Sequence, residues 1–156
     1  MWWKLTRSEF EKKKSAGNKR AIKRIINSGE VPGILAYAGS EPVGWCAVEP
    51  RDAYPTLARS RVLKPVDDKP VWSVVCFFIA KAYRRKGVTV RLLEAAIKYV
   101  RKRGGKIVEG YPVEPKKGAT ADAFAYTGLA SAFRKAGFVE ILRRSPTRPI
   151  MRYYIR

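Results

Sequence analysis

Val71-Trp72-Ser73-Val74-Val75-Cys76-Phe77-Phe78-Ile79 is an apolar run, and Tyr83-Arg84-Arg85-Lys86-Gly87-Val88-Thr89 follows it as a basic turn. The first run is rich in β-branched and aromatic residues and reads as a buried strand. After the turn, Val88, Leu92, Leu93, Ala96 and Val100 recur on one helical face, with Arg91, Glu94, Lys98, Arg101 and Lys102 largely on the other. Glu94 precedes Lys98 by four residues, the favourable order for a helical ion pair, and Gly104-Gly105 ends the pattern.

A strand, a basic glycine turn and a helix start, in that order, make an anion site. The first amides of a helix have no internal partner, and the helix dipole adds partial positive charge at that end. A glycine lets an anion approach the backbone closely. Hydrogen bonds to a charged group contribute about 1.5–3 kcal/mol each, so a few amides suffice to hold a pyrophosphate.

Arg84-Arg85-Lys86-Gly87-Val88-Thr89 resembles the R/Q-x-x-G-x-G/A signature of the GNAT superfamily of N-acetyltransferases, departing from it at Thr89. Ile79 and Tyr83 match the hydrophobic and aromatic positions before that loop, and Ala132-Phe133-Arg134-Lys135-Ala136-Gly137-Phe138 resembles the closing-helix signature. The resemblance implies acetyl-CoA as co-substrate, with its pyrophosphate on Arg84 to Thr89 and its pantetheine arm along Phe77, Phe78 and Ile79. It places Tyr126 and Phe133 beside the coenzyme as well. The implied fold is α/β, a central twisted mixed sheet flanked by helices, with the first strand short or missing. A homodimer is expected through the edge that strand would leave open.

At 156 residues the chain is long enough for a real core, and residues 1–156 are expected to form one domain. Its 46% hydrophobic content includes no uncharged apolar run of membrane-spanning length. Met1-Trp2-Trp3-Lys4 is too short and too soon charged for a secretory signal. Cys46 and Cys76 fall in predicted strands as small hydrophobes, and a reducing, cytoplasmic setting is expected. With no histidine and only two cysteines, Ser-His-Asp and Cys-His catalysis and thiolate or imidazole zinc sites are excluded, and no metal is expected.

The net charge of +20 is spread over Lys12–Lys14, Lys19–Arg24, Arg84–Arg91, Arg101–Lys106 and Arg143–Arg156. A solvated basic surface accounts for it as well as an acidic partner does. An acceptor attached to something anionic, or to nucleic acid, is one partner the charge suits.

Around the central stretch, residues 4–27 read as two amphipathic helices, the first capped by Thr6 or Ser8. Trp2 and Trp3 suit core packing or the lining of an acceptor pocket. Gly33–Ala38 and Pro42–Val48 form a hairpin across Gly39-Ser40-Glu41. Residues 50–70 form a proline-marked excursion, from which Tyr54 and Arg59 to Arg61 could line an entrance. A strand over residues 106–113, a polar connector over 114–124 containing Lys116-Lys117-Gly118, a helix over 127–138 and strands over 139–144 and 149–155 complete the order.

Moving an acetyl group to a primary amine requires a neutral amine, and neutralising one of pKa about 10.4 at pH 7 costs about 4–5 kcal/mol unless the site helps. Glu109 is the first candidate base and Glu49 the second, with Glu114 and Asp122 behind them. The tyrosine that the family commonly carries beside the coenzyme sulfur is replaced here by Phe133, which leaves Tyr111 or Tyr126 to supply a proton. The acceptor reads as a small amine, a protein N-terminus or lysine, or an aminoacyl-tRNA. A second reading keeps the fold without the chemistry, as a module binding nucleic acid or CoA with steep salt dependence.

Overall fold

The computed structural model describes residues 1–115 and 122–156, the side chains of 122–124 excepted. The connector with Lys116-Lys117-Gly118 and the side chain of Asp122 lie outside the described residues. Helices α1 (Arg7–Asn27), α2 (Pro55–Arg59), α3 (Val88–Lys102) and α4 (Ala130–Lys135) accompany strands β1 (Gly33–Ala38), β2 (Glu41–Pro50), β3 (Trp72–Ile79), β4 (Ile107–Gly110), β5 (Val139–Arg143) and β6 (Pro149–Tyr154). The strands form one mixed sheet in the order β1-β2-β3-β4-β6-β5, in which only β3 and β4 run parallel. β1 is therefore an edge, and the N-terminal residues before α1 lie in turns rather than in a strand.

The two helices expected over residues 4–27 are two segments of α1, separated at Lys14, whose φ of 49° and ψ of −171° are not helical. Thr6 is the cap. Its hydroxyl accepts from the Glu9 amide at 3.2 Å while Glu9 accepts from the Thr6 amide at 2.8 Å, a reciprocal capping box. The hairpin of β1 and β2 forms as the sequence suggests. The closing helix is shorter than its pattern, because residues 122–127 wind as a 3₁₀ turn and α4 begins only at Ala130. Likewise β4 stops at Gly110, three residues before the end of its apolar run.

Two apolar clusters lie on opposite faces of the sheet. α3 buries Leu92, Leu93, Ala96, Ile97 and Val100 against Cys46, Val48, Val74, Phe77 and Val108, and Phe133 of α4 joins them. Each such side chain contributes about 1.5–3 kcal/mol of burial. Gly44 allows this approach, since a Cβ there would stand 3.1 Å from Val88 and 3.2 Å from Leu92. The second cluster joins Trp3, Tyr54, Leu57, Leu63, Val75, Tyr111 and Ile150.

Arginines fasten the excursion over residues 50–70 to the sheet. Arg144 donates to the carbonyls of Val62, Lys64 and Pro65, and Arg51 donates to that of Leu63. Arg152 forks onto Asp67 at 2.7 and 2.9 Å, holding the Asp67 carboxyl down at about 2. Arg134 and Arg143 do the same to Glu114, also held to about 2. Both pKa values are depressed on folding, so these pairs stabilise fully above the unfolded range of about 4 and lose their effect as pH falls towards 2. The urea midpoint is expected to hold from about pH 7 to about pH 5 and to fall below about pH 4, with Asp67→Asn flattening part of that fall. A midpoint that rises on acidification would contradict this arrangement.

Candidate active site

The centre of the site is where β3 and β4 part. Their parallel pairing runs from Trp72–Val108 through Ser73–Glu109 to Val74–Gly110 and then stops, while β3 continues to Ile79. At the same point β3 bulges. Ala47 of β2 faces Cys76 and Val48 faces Val74, which leaves Val75 as the extra residue. Among the described residues, the β4-side edge of β3 has no strand partner from Val75 to Ile79, about 13 Å of backbone at about 3.3 Å per residue. Its N–H and C=O groups form a ladder for an extended arm of amides.

The far end of that edge meets the basic turn. Arg84 donates to the Ile79 carbonyl at 3.1 Å, and Gly87 stands as the N-cap of α3 at φ 77°. No side chain caps α3 and no acidic residue occupies its first turn. The Val88 and Thr89 amides therefore open the helix with its positive dipole end uncompensated. Arg85 also adopts positive φ, 59°, and the Lys86 ammonium lies 5.6 Å from the Tyr83 ring centroid. A β-carbon on Gly87 would meet nothing within 4 Å, so the surface above the turn is open.

The near end opens into a cavity of about 790 Å³ on the second face of the sheet. The bulge places both Val75 and Cys76 on its wall, and Trp3, Trp45, Glu49, Tyr54 and Tyr126 join them. Glu49 is 7% exposed. The Lys4 ammonium lies 2.7 Å from each Glu49 oxygen, donating its hydrogen bond to Oε1, and 5.4 Å from the Tyr54 ring centroid. No aligned donor reaches Oε2. Burial first, and the Glu49 charge second, push the Tyr54 phenol up. Burial likewise raises the Tyr126 phenol, so both hydroxyls carry their protons at neutral pH.

Glu109 and Tyr111 lie elsewhere. Glu109 is 1% exposed; its Oε1 accepts from Arg51 at 2.9 Å and from Tyr111 at 2.7 Å, and its Oε2 accepts from Arg152 at 2.7 Å. Neither residue lines the cavity. This carboxylate anchors Arg51 of the excursion and Arg152 of β6 to β4. Burial, then the Glu109 charge, push the Tyr111 phenol well up.

Phe133 is fully buried, edge-on to Phe77 at 6.1 Å and to Phe138 at 5.0 Å, and its ring fills the space a Gly110 side chain would need. Phe77 packs in the same core, whereas Phe78 is exposed. Phe77 and Phe133 thus shape the floor from below, and it is the β3 backbone that faces the gap. Trp3 packs in the second cluster, while Trp2 stands partly exposed, edge-on to Phe10 at 5.5 Å. Both tryptophans also line the cavity. The resemblance assigns the N-terminal helical region to the acceptor wall, and large aromatics stand before it, but Lys4 and the individual cavity-lining positions of α1 went unsingled.

The family model described as the acetyltransferase (GNAT) family matches residues 1–122. The chain belongs to that family. It is an acyltransferase by that membership, and its mixed sheet with flanking helices is the GNAT fold. No curated protein sequence matches it significantly. Among solved structures it resembles yncA of Salmonella typhimurium with its cofactor acetyl-CoA, at 13% identity and a TM-score of 0.56, covering 90% of this chain and 73% of that one. It also resembles the ribosomal-protein-alanine N-acetyltransferase of Brucella melitensis, at 13% identity and 0.55, with 90% and 78% covered. A GNAT-family acetyltransferase of Streptococcus pneumoniae aligns at 16% identity and 0.54, with 89% and 76% covered. At these identities the likeness is one of fold. Among the described residues of this GNAT chain no cluster of three or more carboxylates or thiols could hold a metal, and no helix is long and apolar enough to cross a membrane.

Proposed function

We propose that this GNAT protein transfers the acetyl group of acetyl-CoA to a primary amine, with Glu49 as general base. The observation that carries the reading is the continuous path along β3. It runs from the uncapped α3 N-terminus, past an unpaired strand edge, to a cavity holding a carboxylate and two protonated phenols. These residues fit acetyl-CoA. The amides at Gly87, Val88 and Thr89 suit a pyrophosphate, with Arg84, Arg85 and Lys86 around it, and the edge from Val75 to Ile79 suits the pantetheine arm. Bound there, acetyl-CoA supplies an activated acyl carbon on a thioester.

The chain's own groups manage the protons. The Glu49 carboxylate, 7% exposed on the cavity wall, accepts a hydrogen bond and then a proton from an entering amine. The Lys4 charge beside it disfavours an ammonium and so helps the amine stay neutral. The Tyr126 hydroxyl, on the same cavity, holds a proton for the leaving sulfur. Buried Val75 and Trp3 share the cavity wall with Glu49, and their apolar surroundings strengthen each of these interactions.

Calorimetry with CoA and with acetyl-CoA tests the donor half. One-to-one binding is expected, and Gly87→Glu weakens it by about 2 kcal/mol, roughly thirtyfold, through strain at positive φ and a carboxylate at the anion site. No heat with either ligand would sink the proposal. Release of free thiol from acetyl-CoA over an amine panel tests the acceptor half.

A further inference from the structure

Buried polar atoms are concentrated just behind the cavity wall. The buried side-chain polar atoms without an aligned hydrogen bond among the described residues are Trp3 Nε1, Asn18 Oδ1, Glu49 Oε2, which still lies 2.7 Å from the Lys4 ammonium, and Tyr54 Oη, which neighbours Glu49; all four belong to residues lining this one cavity. Asn18 is fixed in orientation, because its Nδ2 donates to the Phe10 carbonyl at 3.2 Å. Folded proteins pair nearly all such atoms, so their concentration just behind one wall marks a wall whose side chains adjust when something enters the cavity. The rest of the wall is aromatic and apolar, which suits a bulky flat body.

The charges around the cavity are arranged in depth. Glu49, on the floor, meets Lys4, and Glu11, at the rim, meets Arg7 at 2.8 Å. Lys14 and Lys19 line the same rim, are exposed, and meet no carboxylate among the described residues. Lys14 is also the residue at which α1 breaks, with a φ of 49°. A lysine held in that sparsely populated conformation at a cavity rim points to a functional placement. The interior thus holds one carboxylate, already paired with Lys4, and the mouth offers two cations. A chain of net charge +20 repels polycationic acceptors as well.

Resting on the acetyltransferase reading, we infer that the acceptor is a primary amine carried on a bulky apolar body with an anionic group at its other end. The amine goes to Glu49, the body lies among Trp3, Trp45 and Tyr54, and the anion stays at the rim on Lys14 and Lys19. The anion is equally well a phosphate or a carboxylate, since both are held by point charges there.

Equilibrium titration without acetyl-CoA tests this with matched probes: O-phosphotyramine, tyramine, which lacks the anion, and cadaverine, which lacks the aromatic body and adds a second cation. At low salt O-phosphotyramine is expected to bind at least about tenfold more tightly than tyramine, with cadaverine weaker than either. Lys14→Glu with Lys19→Glu is expected to bring the ratio of the first two to one or below. The exposure of both positions keeps the variant folded, which its melting curve checks. A ratio of one in the unaltered protein overturns the inference. So does a tenfold ratio that survives the double substitution, or failure of all three probes to bind. CoA titrated in parallel separates the two readings. A flat ratio with normal CoA binding removes only the acceptor class, whereas no CoA heat removes the donor reading and this acceptor assignment with it.

Discussion

Glu49→Gln is expected to lower kcat for a primary amine by about 100- to 10,000-fold, the range general-base catalysis supplies. The change is nearly isosteric and keeps the contact to Lys4 as a hydrogen bond from the ammonium to a neutral amide oxygen in place of the 2.7 Å ion pair. What it removes is the place where the amine proton goes. Turnover in the variant should recover only as pH approaches about 10, where a free amine loses its proton without help. CoA affinity should change little, because the pyrophosphate turn lies at the other end of β3 from the cavity. A variant with undiminished turnover at neutral pH would move the base away from Glu49.

Glu109→Gln separates the two glutamates by a different measurement. Its carboxylate neutralises Arg51 and Arg152, whose side chains are 12% and 2% exposed. Removing that charge leaves two guanidiniums facing a neutral amide inside the protein, and a cost of about 3–5 kcal/mol in unfolding free energy is expected. Asp67 still meets Arg152 from the outer side, which places the loss toward the lower end. The measurement is a denaturant curve, with turnover per folded molecule taken at low temperature. Loss of stability with near-normal turnover fits the anchor described above. Unchanged stability with lost turnover would make Glu109 the base after all.

Val71 to Gly105 was legible because its signals are local. A β-branched run, a glycine with basic neighbours and a helical period all sit within one stretch, and α3 buries the face the period marked, with Ile97 added. The bulge at Val75 was not legible. A strand covered on both faces shows no alternation, so an extra residue leaves no mark in the pattern. Choosing between Glu49 and Glu109 was beyond the sequence for another reason. Both are glutamates in predicted strands, and what distinguishes them is which arginines fold against them. Arg51 lies 58 residues from Glu109 and Arg152 lies 43 away, so no local window contains the network. Lys4 reaches Glu49 across 45 residues in the same way. Two helical segments over residues 4–27 are expected from the sequence, but the position of the break, Lys14, has neither glycine nor proline to mark it.

The two apolar clusters on opposite faces of the sheet have a consequence for how such a protein changes over generations. Helix α3, which opens on the basic turn proposed for the pyrophosphate, is rooted in one cluster, and Trp3 and Tyr54, on the wall of the proposed acceptor cavity, are rooted in the other. Substitutions more than about 7–10 Å apart with no shared partner act almost independently on stability. Drift in the N-terminal turns, α1 or the excursion after β2 can therefore redraw the acceptor preference while the donor machinery keeps its footing. One sheet serves as the partition that lets the two halves of the reaction evolve at different speeds.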